Sequence, residues 1–341
     1  MLQAEDGGLG ANGRPAHDLA TSRPGTLWAC AAMTDRCGLA GDRCRVPAEM
    51  HVVGLVLHPQ RDSGPAVTAV LGWAARNGGQ VLGIDSEIHR LALSNGDCPA
   101  LGVPAQELGQ RADLLVSLGG DGTMLRAMRL ADRQRAPVLG VNLGKLGFLA
   151  EVDVPDLPGA LSAIDSHEFT IESRLAVDAV IGDQVVTAFN DVACVRFPGQ
   201  PTAVIAVRAA GHPFVSYAAD AVVVATPTGS TAYSFSAGGP IVSPSVEALL
   251  VTPAAPHSAY NRGLVLSVHD SLALELLPAS GTLAVEVDGQ VAANVSAGDR
   301  IELRPRPGAA HVVRLGRTTF YERARRKLRL TDSAEVPVTP G

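Results

Sequence analysis

Aromatic residues are scarce in this chain: two Trp, four Tyr and seven Phe among 341 residues, 4% of the total. So small a set leaves no row of stacking platforms, and a formal net charge of -6 leaves no broad basic face. Nucleic acid is thereby excluded as the main partner. Long apolar runs are also lacking; Gly, Pro or a charge breaks each well short of the roughly 20 residues a membrane helix needs. No membrane partner is expected. The N-terminus lacks the charged start and apolar core of a secretory leader. The five cysteines, Cys30, Cys37, Cys44, Cys98 and Cys194, form no Cys-x-x-Cys pair and have no histidine cluster beside them. Zinc is excluded on that ground, no metal-ligating residue is assigned, and the thiols are read as free in a reducing cytoplasm.

What is present is a globular composition, 46% hydrophobic and 18% charged, on a chain long enough for two cores. Residues 1–49 are rich in Gly, Ala, Pro and Asp without periodicity and read as a disordered extension. Met50, directly before the first strand-like run, offers an alternative translation start. Residues 50–167 alternate short apolar runs with helical stretches, as at Val67 to Ala75 and Leu157 to Ile164, which predicts a doubly wound parallel sheet. Residues 168–318 carry β-branched or alternating runs separated by Gly, Pro and Asp, which predicts a mostly antiparallel β-rich domain. A helix at 319–330 is expected to pack back on the first domain, ahead of a tail at 331–341. Its Arg323, Arg325, Arg326 and Lys327 read as a solvated charged face.

The most informative segment is LGGDGTMLRAMRL, Leu118 to Leu130, which follows an apolar run from Asp113. Strand, glycine turn and helix aim backbone N–H groups at a phosphate. No Gly-Lys-Ser/Thr follows, so this is not a Walker loop. The turn carries one carboxylate, Asp121, suited to accept a proton from a weakly nucleophilic hydroxyl. Gly119 and Gly120 belong to the donor-phosphate turn, with Thr123 at the start of the helix, and Gly122 leaves room for a ligand. Arg126, one helical turn on, is either a phosphate partner or a surface arginine. A second block runs from Asp220 to Pro240. There an apolar strand enters a turn bearing the hydroxyls of Thr226, Thr228, Ser230 and Thr231, with Tyr233 placed to stack on a base.

With both blocks the chain resembles the NAD kinase family, over roughly His51 to Leu330. Supporting stretches are NLGKLGFLAEV from Asn142, FNDV from Phe189, VTPAAPHS from Val251 and VDGQ from Val287. The resemblance implies transfer of a terminal phosphoryl group from ATP or polyphosphate to the adenosine ribose 2′-hydroxyl of NAD. Mg²⁺ would arrive with the nucleotide, and the protein would be a homodimer or homotetramer. It makes Asp121 the proton acceptor. It places Asn190 and Asp191 on the adenosine half, Asp220 on the nicotinamide riboside side, and Gln290 at a further NAD contact. Thr231, Ala232, Tyr233, Ser234, Phe235 and Ser236 match the dinucleotide turn. Asp288 is read as a hairpin residue ahead of a metal ligand, and His257 as structural.

The chain departs from the family pattern at three points. Asp191 stands for the usual Glu, and Ala218 and Ala221 replace the Arg and second Gly of Tyr-Arg-Ala-Asp-Gly. These changes loosen the dinucleotide side and predict weaker NAD affinity. Two rival readings stay open at this point: a GGDGT-type kinase of a lipid or sugar phosphate, and a weakly active nucleotide-binding regulator.

Overall fold

The computed structural model describes residues 50–93, 99–134, 136–144, 147–257 and 259–330. The expected extension and tail lie outside these, as do Cys30, Cys37, Cys44 and Cys98. The first half runs β1 (Val52–Leu57), α1 (Gly64–Arg76), β2 (Gln80–Ile84), α2 (Asp85–Arg90), β3 (Leu101–Val103) and α3 (Ala105–Arg111). It continues with β4 (Leu114–Gly119), α4 (Asp121–Ala131), β5 (Val138–Asn142), β6 (Val152–Asp153) and α5 (Leu157–Asp165). The strands are parallel in the order β3-β2-β1-β4-β5, with β6 beside β5.

Both sheet faces are covered, which is why the strands are mostly apolar. In β4, Leu114, Val116 and Leu118 pack with α1 and α5, while Leu115 points the other way, toward Leu108 of α3 and Met124 and Met128 of α4. Alternate side chains face opposite sides of a sheet, so a doubly covered strand has little room for polar residues; in β4 only Ser117 is polar.

The second half starts with β7 (Thr170–Ile181), β8 (Gln184–Ala188), β9 (Asp191–Arg196), β10 (Ala203–Ala209), β11 (His212–Ala219) and β12 (Ala221–Ala225). After a short α6 (Tyr233–Ser236) come β13 (Ala248–Ala254), β14 (Leu264–Ser267), β15 (Leu272–Leu276), β16 (Leu283–Val287), β17 (Gln290–Val295), β18 (Arg300–Arg314) and α7 (Phe320–Leu328). An antiparallel sheet ordered β14-β13-β12-β9-β16-β17 packs on a second sheet through Val192, Val222, Val224 and Val285 on one side and Val177, Ile205 and Leu274 on the other. Its strands fit the alternating, β-branched texture of the sequence.

That second sheet is not separate from the first half. β18 is 15 residues long, several times the parallel strands. It pairs with β15 at Leu272↔Leu303 and, past a bulge between Arg306 and Ala310, lies parallel to β5 at Val312↔Val138. One hydrogen-bonded sheet therefore runs from the α/β layer into the β-rich layer. The textures change near residue 168, but the sheet does not stop there. Among the described residues no helix is long and apolar enough to cross a membrane.

Candidate active site

In-register pairing of β4 and β5 sets Gly119 beside Asn142, so the two glycine loops leave the sheet side by side. Asp121 is the first residue of α4, with Gly120 capping the helix. Its Oδ1 accepts from the Leu149 amide at 3.0 Å and its Oδ2 from the Phe148 amide at 3.1 Å. The ammonium of Lys327 lies 2.8 Å from the same Oδ2. A Cβ on Gly147 would land on this carboxylate, so only glycine lets the second loop's amides reach it. Gly120 and Gly122 differ: apart from chain neighbours and their own helix backbone, no atom of the described residues lies within 4 Å of where their Cβ would sit. Neither has positive φ. Their smallness serves no contact with the other described residues, as expected where a ligand approaches.

Arg126 is half-exposed and already has partners within the protein. Its guanidinium pairs with Glu87 at 2.6 Å and donates to the Leu57 carbonyl at 2.5 Å, while Glu87 accepts the Leu57 amide. It ties α4 to β1 and α2. A phosphate would have to compete with a buried carboxylate for it.

The second half of the site is built around a hairpin. Asp288 and Gly289, both at positive φ, form the two-residue turn between β16 and β17, the backbone a tight hairpin requires. The fully buried Asp288 carboxylate accepts from the amides of Phe189 (3.2 Å), Asn190 (2.7 Å) and Asp191 (3.2 Å) and pairs with Arg129 of α4. The hairpin reading of Asp288 thus holds, and its carboxylate also shapes the FND segment. The Asn190 carbonyl accepts from the Thr226 amide at 2.8 Å, drawing that segment against the Thr-Pro-Thr-Gly-Ser-Thr turn. Asp191 is buried and takes the Tyr233 amide. Burial first, then the nearby Asp288 and Glu286 carboxylates, push its carboxyl up to about 7.

The hydroxyls of that turn are mostly spent inside the protein. Thr226 donates to the Phe189 carbonyl, Ser230 to Val242, and Thr231 to Thr228, while Ser234 pairs with Thr252 at 3.0 Å. These hydroxyls are engaged within the turn and with its neighbours. They hold the turn's shape, leaving Ala232, Phe235 and the half-buried Tyr233 around it, with Ser236 exposed. Tyr233 packs on Ala193, Val223, Ala225 and Leu250.

Sequence reasoning missed the polar chain that joins the two halves. Arg314 donates to the Leu149 carbonyl at 2.8 Å and pairs with Glu172 at 2.6 Å. Glu172 pairs with Arg174 at 2.9 Å, and Arg174 reaches the Thr228 hydroxyl at 3.3 Å. Arg174, Arg314 and Arg323 are all buried, and burial lowers Arg174 to about 9. The signal was available: Glu172 and Arg174 are charges two apart, on one face of a strand that runs on into the apolar Leu175 to Val177. The solvated-face reading of α7 fails for Arg323, which donates to the Thr318 carbonyl, and for Lys327, which sits over the Phe148 ring. A single helix period cannot reveal that its charged side meets another loop.

Asp220 lies farther along the same sheet, near enough for its charge to act on Tyr233. It precedes β12 at the end opposite Ala225, the residue in register with Asp191, and pairs with Arg196 at 2.5 Å and His257 at 3.9 Å. The strand between them spans roughly 13 Å at about 3.3 Å per residue. Gln290 is exposed beside the Asp288 hairpin. Among the described residues, no three His, Cys, Asp or Glu side chains converge as a metal cage. Cys194 is a buried core thiol, pushed by burial to about 12.

Family models for the ATP-NAD kinase N-terminal domain and C-terminal domain match residues 99–169 and 189–315. NAD kinase 1 of Streptomyces avermitilis is 39% identical over 323 residues, 82% of this chain and 88% of that protein. The NAD kinase of Desulforamulus reducens is 38% identical over 288 residues, covering 82% and 98%. The chain belongs to the NAD kinase family. As an NAD kinase it is a phosphotransferase, and a lipid or sugar phosphate kinase is not favoured. Two solved NAD kinase-family structures share its fold. Yeast NADH kinase complexed with NADH superposes with a TM-score of 0.73 at 26% identity, covering 85% of this chain and 90% of that one. The Archaeoglobus fulgidus NAD kinase in complex with ATP gives 0.64 at 25%, covering 82% and 98%.

Proposed function

We propose that this NAD kinase transfers the terminal phosphoryl group of ATP to the adenosine ribose 2′-hydroxyl of NAD, giving NADP, with Asp121 as proton acceptor. The observation that carries the reading is the Asp121 carboxylate, aimed by two backbone amides at the mouth shared by two glycine loops. A carboxylate offers about four lone-pair directions; the Phe148 and Leu149 amides and Lys327 take three, leaving one on Oδ1 for a hydroxyl. As the hydroxyl oxygen bonds to phosphorus, the bond from phosphorus to the bridging oxygen of ATP breaks, and the proton passes to Asp121. The chain contributes position and electrostatics, the main terms in phosphoryl transfer.

On this reading Asn190, Asp191 and the turn from Thr231 to Ser236 hold the adenosine half. NADH is bound by the yeast relative and ATP by the archaeal one, and both classes of nucleotide are assigned to this cleft. Mg²⁺ would enter with ATP and supply neutralisation of the phosphate charge. The setting is cytoplasmic and the assembly a homodimer or homotetramer. Asp191, Ala218 and Ala221 give weaker NAD binding than the full family motif, so an NAD KM as low as that of a full-motif member argues against this last point.

The test is direct. Purified protein, ATP, Mg²⁺ and NAD should yield NADP, detected as NADPH through a coupled dehydrogenase, while lipid and sugar acceptors run alongside yield nothing. Asp121→Asn should lower turnover by about a hundred- to ten-thousandfold. A variant at full rate removes Asp121 from the role, and product from the other acceptors instead of NAD rejects the reading.

A further inference from the structure

We propose that Lys327, on the C-terminal helix, is a catalytic residue: its ammonium contacts the terminal phosphoryl group of the donor while Asp121 takes the acceptor's proton. The inference rests on the kinase reading above. Lys327 lies 206 positions from Asp121 in sequence, yet its Nζ is 2.8 Å from Asp121 Oδ2 and 4.5 Å from the centre of the Phe148 ring. It is held from two sides, with its side chain 35% exposed and Asp121's 27%. The ion pair therefore borders the open cleft.

The helix is fastened to the loop that aims Asp121. Glu151, three residues beyond Phe148, accepts from the amides of Leu315, Arg317 and Thr318. A reciprocal capping box between Thr319 and Glu322 starts the helix, and Phe320 packs against Phe148. The buried Arg323 donates to the Thr318 carbonyl, one turn before Lys327 on the same face. So much anchoring for a short terminal helix fixes one ammonium at the base.

A resting ion pair alone would hinder catalysis, because a fixed cation makes a carboxylate a poorer proton acceptor. An arriving phosphoryl group removes the conflict. The attacking hydroxyl occupies Oδ1 and the ammonium Oδ2, so a phosphoryl group approaching that hydroxyl comes within reach of Lys327. The ammonium then turns its hydrogen bonds toward the phosphoryl oxygens and frees the carboxylate as charge migrates. Lys327 keeps its proton; the ribose proton goes to Asp121 and ADP leaves with the electrons of the broken P–O bond. Charge stabilisation of this sort is worth more in a partly water-excluded site than in solution.

The experiment compares the full-length protein with Lys327→Met, which keeps the alkyl stem over Phe148, and Lys327→Arg, which keeps the charge. Mg·ATP and Mg·ADP are titrated calorimetrically, and steady-state kinetics are run with NAD. In Lys327→Met, ATP affinity should fall about tenfold while ADP affinity changes less than about twofold. Its kcat should fall about a hundredfold with the NAD KM within about twofold, and Lys327→Arg should recover part of kcat. Equal losses for ATP and ADP, no loss for either, or a kcat at or above the parent's overturns the proposal; the last would mark Lys327 as a latch on the base. If the parent itself makes no NADP, the kinase reading fails, and the ATP-versus-ADP comparison still decides whether Lys327 meets a terminal phosphate.

Discussion

Arg129 and Asp288, 159 residues apart in sequence, meet at 3.0 Å and join the helix behind the GGDGT turn to the hairpin beneath the FND segment. The same Asp288 carboxylate collects three consecutive amides, from Phe189 to Asp191. One buried side chain thereby sets the spacing between the donor loop and the dinucleotide segment.

Removing that carboxylate should be costly. Asp288→Ala leaves three buried amides and a guanidinium without their acceptor, a loss of about 3 kcal/mol in folding free energy. Urea unfolding should register it as a lower midpoint at unchanged slope. A midpoint within error of the parent's would show that water or Asp191 replaces the carboxylate at little cost.

Asp191 should make stability depend on pH. Burial and the neighbouring Asp288 raise its carboxyl from 3.8 to about 7. An acid raised on folding binds its proton more tightly in the folded state, so stability falls as pH climbs through that window and levels off above it. Asp191→Asn should flatten this slope and unfold at higher urea than the parent above about pH 7. Parallel pH slopes for the two proteins would assign the dependence to other groups.

Gly122 separates stability from ligand approach. Alanine there meets no described atom within 4 Å beyond its chain neighbours and helix backbone, and sits in the first turn of α4, where it favours the helix over glycine by about 0.5–1 kcal/mol. Gly122→Ala should melt no lower than the parent, yet raise the KM for NAD or ATP by about tenfold as the methyl meets the nucleotide. Unaltered kinetics would mean that no ligand comes close to this residue.

Much of this was legible in the chain itself. The runs at β1, β4 and β5 are almost wholly apolar, with only Ser117 and Asn142 polar, and the GGDGT turn follows its strand directly, so both the parallel sheet and the helix start at Asp121 are local consequences of neighbouring residues. The Asp-Gly of VDGQ likewise dictates a tight hairpin. Less legible were charges inside elements. Arg126 has helical spacing from Asp121 and still turns to Glu87, since a surface position and an internal ion pair look alike in one dimension.

Sequence alone thus determined the fold class, the family and the acid at the head of α4, because backbone preference, apolar patterning and glycine turns act over a few residues. Only the folded chain decided what that acid touches. Lys327, Phe148 and Leu149 reach Asp121, and Arg174 reaches Thr228, across long stretches of sequence. Such pairings depend on β18 stitching two sheets into one, which puts distant polar groups in a shared, partly dry space where each must find a partner.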